Sequence, residues 1–135
     1  MSAGSGPLFH MVPGAPVPVS PFSHATEQDG WVFVTGQMPF SGLANDSPYP
    51  EGIEAQTHQV FANLKTVLAG IGLGLEHVLM ARVYLLHFER DFPAMNAVYA
   101  THFAADKRPA RTCIGVSGLA RGALVEIDFV ARRPA

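Results

Sequence analysis

The sequence predicts an α+β fold, a mixed β-sheet with two helices on one face, in the order β-α-β-α-β-β. Three observations carry this. Two segments repeat apolar residues at helical spacing, two short runs are β-branched and aromatic, and the C-terminal quarter alternates polar and apolar residues with the period of a strand.

Taken in order, Met1 to Ser20 is rich in Gly, Pro, Ser and Ala, and Pro7, Pro13, Pro16 and Pro18 disfavour regular structure. Residues 1–19 are therefore expected to be a flexible arm and 20–135 a single domain. The opening six residues resemble a linker, with Met11 an alternative start. Trp31–Gly36 reads as a buried strand, paired with an extra short strand before it. Ser41–Gly52, with Asn45, Asp46, Pro48 and Pro50, is a loop. From Ile53 to Ala69, Val60, Phe61, Leu64, Val67 and Leu68 recur on one helical face, and Gly70, Gly72 and Gly74 end the helix. The glycine-rich stretch follows a helix rather than opening one, which makes it a helix stop and not a dinucleotide fingerprint. His77–Leu86 is too short and too β-branched for a long helix and is placed as a central strand. Asp91 is expected to cap a second helix, with Pro93 in its first turn and Phe92, Met95, Val98, Tyr99 and Phe103 as its apolar stripe to about Ala105.

At 135 residues, the chain is one domain's worth. With 48% hydrophobic and only 15% charged residues, some apolar surface is expected to be covered by other subunits. A net charge of −2 offers no footprint for nucleic acid or an anionic membrane. One cysteine excludes an internal disulfide and a cysteine-based zinc cluster, and the six histidines show no paired spacing, so no metal is expected. Without a membrane span or a secretory leader, the expected location is cytoplasmic.

The candidate site lies in the last two strands. Arg111, Cys113, Gly115 and Ser117 share one face of the first, and Glu126 and Asp128 share a face of the second between Leu124 and Val130. This pattern reads either as an ordinary sheet with a structural Arg–Glu pair or as a half-buried pocket. The pocket would have a guanidinium to grip a planar anion, an acid nearby, and Gly115 leaving room for a ligand. Cys113 is read as a packing thiol, since no histidine is placed to activate it.

Several segments in order resemble the Rid family, also called YjgF-like or reactive intermediate deaminase proteins. They are Pro21-Phe22-Ser23-His24-Ala25, Val34-Thr35-Gly36-Gln37-Met38-Pro39, Gln56-Thr57 with Asn63-Leu64, Phe92 with Met95-Asn96-Ala97-Val98-Tyr99, and above all Pro109-Ala110-Arg111-Thr112-Cys113-Ile114-Gly115-Val116 with Val125-Glu126-Ile127. The resemblance covers the chain from Ser20 onward. It implies a chorismate-mutase-like α+β sandwich, a homotrimer with clefts between subunits, and hydrolysis of reactive enamines and imines to 2-oxo acids and ammonia without a cofactor. By position it implies Arg111 as the carboxylate-binding residue and Glu126 as the group that holds or activates water. Phe22, Thr35, Gly36, Asn96 and Cys113 would line the site. One departure stands out: the family commonly carries Pro-Tyr where this chain has Pro21-Phe22, so a phenol is missing there.

The expected partner is thus a small 2-imino or 2-oxo acid, such as 2-iminopropanoate. The alternatives are a pathway-specific deaminase of a larger, aminomuconate-type enamine, with Phe22 and the Ser41–Gly52 loop reshaping the cleft, and a trimeric module that binds small carboxylates without chemistry. Ribonuclease and translation-inhibition activities, also associated with the family, find no support in the acidic balance.

Overall fold

The computed structural model describes residues 6–135. Six strands form one mixed sheet in the order β1-β2-β3-β6-β4-β5: β1 Leu8–His10, β2 Ala25–Gln28, β3 Trp31–Gln37, β4 Val78–Leu85, β5 Ala110–Gly115 and β6 Val125–Arg132. Helices α1 (Ile53–Gly70) and α2 (Phe88–His102) pack on one face. All pairings are antiparallel except β4 with β5, which are joined through α2. The α+β architecture matches the expectation, and β4 is central, between β6 and β5.

The core lies between the sheet and the helices. Val60, Phe61, Leu64, Val67 and Leu68 of α1 meet Val32 and Val34 of β3, Ala81, Val83 and Leu85 of β4, and Val125, Ile127 and Phe129 of β6. Helix α1 ends as expected, and Gly72 is the glycine that does it. At φ +78° it takes the left-handed conformation while its N–H bonds Ala69 O and the Leu73 N–H bonds Leu68 O, closing the last turn.

Three expectations need correction. Residues 1–5 of the predicted arm lie outside the described residues, but 6–19 contain β1 and a packed segment with Val12 and Ala15 buried. A Cβ on Gly70 would overlap Val12, so this glycine lets the segment close over the end of α1. Second, α2 begins at Phe88 rather than at Asp91, which lies buried inside it with Arg90 on its carboxylate. Phe88 and Phe92, one turn apart with centroids 5.1 Å from each other, pack against the core. That burial outweighs capping by Asp91 and the backbone bond that Pro93 cannot donate. Third, β3 is buried on one face only: Val32 and Val34 point inward, while Trp31 (45% exposed) and Phe33 (52%) stand on the face without helices.

Candidate functional site

Arg111 and Cys113 stand in register with Ala81 and Val83, on the helix side of the sheet. The Arg111 guanidinium lies over the Tyr99 ring, 4.7 Å from its centroid, and 5.8 Å from that of Phe92, within the range of cation–π attraction. Both rings come from α2, so the helix stripe that fills the core also provides the platform for the cation. Arg111 forms no ion pair among the described residues. A cleft of about 220 Å³ opens beside it, lined by Asn96, Tyr99, Ala100, Arg108, Pro109 and Arg111. Cys113 packs against the core, and burial pushes its thiol up, against the pull of Arg111. A thiol so held is a poor nucleophile. Gly115 does not leave room for a ligand: a Cβ there would sit 3.0 Å from Phe88 Cβ, so this glycine admits the helix instead.

Glu126 faces the other way. It stands in register with Tyr84, while its neighbours Val125 and Ile127 point into the core. A Cβ on Gly36 would overlap the Glu126 carboxylate, which therefore rests against bare backbone. Burial, then the Asp128 charge, raise its pKa above the ordinary carboxylate value, and no cation offsets them. Asp128 is committed elsewhere: it accepts hydrogen bonds from Arg82 at 2.8 Å and from the Tyr84 hydroxyl at 3.0 Å. Thr35 adjoins Gly36 in β3, and Phe22 lines a narrow crevice with Gly36, Gln37 and Met38. The loop closing this end is pinned from α1. Buried Asn63 donates to Met38 O and Phe40 O, and Gln56 donates to Pro50 O while accepting from Leu124 N.

The residues expected to form one site thus fall into two groups. Arg111, Asn96 and Cys113 belong to the helix side at edge strand β5; Glu126, Gly36, Thr35 and Phe22 belong to the β3–β6 end. The expected pocket with Arg111 and its acid close together is not present within one chain, nor is an Arg111–Glu126 pair. Strand β4 separates β5 from β6, and the side-chain alternation sends the two groups to opposite faces.

Residues 13–133 match the family described as endoribonuclease L-PSP. The chain belongs to that family. A RutC family protein of Synechocystis is 38% identical over 120 residues, covering 89% of this chain and 92% of that protein. A RutC family protein of Pyrococcus horikoshii is 37% identical, covering 87% and 90%. Among solved structures, the Rid-family protein YyfA of Yersinia pestis superposes with a TM-score of 0.85 at 29% identity, covering 94% of this chain and 99% of that one. Yeast Mmf1 gives 0.84 at 29%, covering 94% and 100%. The resemblance read from the motifs and these matches agree on the Rid, or YjgF-like, family.

In this Rid chain, several residues near the two groups escaped the sequence reading. The helical spacing reads Tyr99 only as a core residue; its hydroxyl is buried with no hydrogen-bond partner among the described residues. Tyr49, from the loop after β3, packs tilted against Phe40 with ring centroids 5.0 Å apart and donates to Ala120 O. Burial raises the pKa of its phenol, against the Arg121 charge and with that of Glu126. Two histidines that look scattered in sequence, His58 and His102, are hydrogen-bonded at 2.9 Å across α1 and α2. No group of three metal-ligating side chains occurs among the described residues. Nor is any described helix long and apolar enough to cross a membrane.

Proposed function

We infer that the protein hydrolyses small reactive enamines and imines, with 2-imino acids as substrates and 2-oxo acids and ammonia as products. The observation that carries this is Arg111: an arginine of the family's motif, free of carboxylate partners, braced by two rings at the mouth of a cleft. A guanidinium so held can grip the planar carboxylate of a 2-imino acid by two parallel hydrogen bonds, fixing the adjacent C=N carbon. Water adds to that carbon, the nitrogen leaves as ammonia, and a C=O bond replaces C=N. Nothing is oxidised or reduced. Glu126, a carboxylate with raised basicity and no competing cation, suits the role of water-positioning base.

The opposed faces of Arg111 and Glu126 support a site shared between chains. Strand β5 is a sheet edge, and the face without helices exposes Phe9, Trp31, Phe33, Leu79 and Ile114, too much apolar surface for a chain with so few charges. A closed homotrimer covers that face and brings the Arg111 group of one subunit to the Glu126 group of the next. In that arrangement Phe22, Thr35, Gly36, Asn96 and Cys113 shape the cleft around the substrate.

The test is ammonia release from freshly generated 2-iminopropanoate and 2-iminobutanoate. Wild type should accelerate it and a folded Arg111→Ala protein should not. Equal rates with and without wild-type protein would leave only carboxylate binding.

A further inference from the structure

The cleft at Arg111 carries more positive charge than a monocarboxylic acid requires. Two of its six lining residues are arginines, Arg108 and Arg111, and none is a carboxylate. Neither arginine is in an ion pair among the described residues, although Asp106 lies two positions from Arg108 in the same loop. Both cations act on Tyr99, pulling against the burial that raises its phenol. Tyr99 is only 5% exposed, and its hydroxyl has no hydrogen-bond partner among the described residues. An unpartnered buried hydroxyl is unfavourable, and Tyr99 itself lines the cleft. Asn96 adds a side-chain amide on the adjoining turn of α2, and the space of about 220 Å³ is the scale of a five-carbon acid.

We propose that this cleft selects dicarboxylic 2-imino acids, with Arg111 on the carboxylate beside the reacting carbon and Arg108 on the distal one. The assignment rests on the deaminase reading for its chemistry, but not for binding. Arg108 is exposed on the loop ahead of β5, and Pro109 fixes one of the backbone angles between the two arginines. The water-addition step is unchanged by the distal carboxylate; what changes is how firmly the acid is held while the step occurs.

The experiment compares two substrates of equal carbon number, 2-iminoglutarate and 2-iminopentanoate, generated from glutamate and norvaline by amino-acid oxidases. It also compares binding of 2-oxoglutarate and 2-oxopentanoate by calorimetry. Wild type should prefer the dicarboxylic member of each pair. Arg108→Gln should lower that preference by up to about fivefold in kcat/KM and in affinity, on the scale of a partly exposed charge pair, and Arg108→Lys should restore part of it. The same preference in Arg108→Gln as in wild type would overturn the proposal while sparing the deaminase reading. No turnover of either imine, with Arg108-dependent preference for 2-oxoglutarate intact, would sink the deaminase reading and uphold the cleft assignment.

Discussion

Arg111 and Glu126 project from opposite faces of one sheet: Arg111 is in register with core-facing Ala81, and Glu126 with Tyr84 on the side without helices. If substrate meets both, they come from different chains. Co-refolding equal amounts of Arg111→Ala and Glu126→Gln proteins then creates sites in which one chain gives an intact arginine and its neighbour an intact glutamate. Random assembly makes about one quarter of all sites intact in any closed ring. Ammonia release near that fraction of wild type is expected from the mixture and at most about a few per cent from either variant alone; an inactive mixture of well-exchanged chains would place the site within one subunit.

Arg111 should tolerate no substitution. Lysine keeps the charge but loses the planar fork and the stacking on Tyr99, and alanine loses all three; each should cost roughly 2–4 kcal/mol in kcat/KM. Near-wild-type turnover by a folded Arg111→Ala oligomer would contradict the assignment.

Glu126→Gln keeps size and hydrogen bonding but removes basicity, so turnover should fall on the order of 10²-fold while a 2-oxo acid still binds. Because burial holds the Glu126 carboxyl above its ordinary 4.5, the base is lost by protonation above that value. The acid limb of the wild-type pH–kcat profile should therefore lie higher than an ordinary glutamate would place it. A limb at or below the ordinary value would point to another base, and loss of the oligomer in Glu126→Gln would make the residue structural.

Glu27 joins β2 to the C-terminus and to β1, accepting from Arg133 at 2.7 and 2.9 Å and lying 3.0 Å from His10 Nε2. The Arg133 hydrogen bond leads in pulling its pKa from 4.5 down to about 2, against burial. A carboxyl whose folded value is depressed stabilises the fold above its unfolded value and loses that contribution as pH falls from about 4.5 toward 2. Glu27→Gln should flatten thermal stability across that window and cost about 1 kcal/mol at neutral pH after solvent screening. An unchanged Tm–pH curve would show the pair to be inert.

His102 acts in a separate window. Burial first, then the Lys65 and His58 charges, lower its pKa from 6.5 to about 4, and its ring stacks on Phe61 at 4.1 Å. The unfolded chain then binds the proton more readily, so stability should decline as pH falls from 6.5 toward 4. His102→Phe, which keeps the stack but cannot be protonated, should remove that decline in a comparison of Tm at the two ends of the window.

Much of the architecture was legible in the sequence because periodicity reports what one element buries. The stripe of Val60, Phe61, Leu64, Val67 and Leu68, the alternation of Val125, Ile127 and Phe129, and the run at β4 each announce their own inner face. Local signals failed where a distant contact decided. Proline-rich residues 6–19 look free until Gly70 is seen to admit Val12, and Asp91 looks like a cap until Phe88 is seen packed over Gly115.

The motifs around Arg111 and Glu126 were sufficient to identify the family, and alternation assigned each residue to a face of its own strand. Which face of one strand matches which face of another depends on strand order and register, and those are set by long-range pairing. Only the tertiary structure, by inserting β4 between β5 and β6, decided that Arg111 rests on Tyr99 beside Arg108 while Glu126 rests on Gly36 across the sheet.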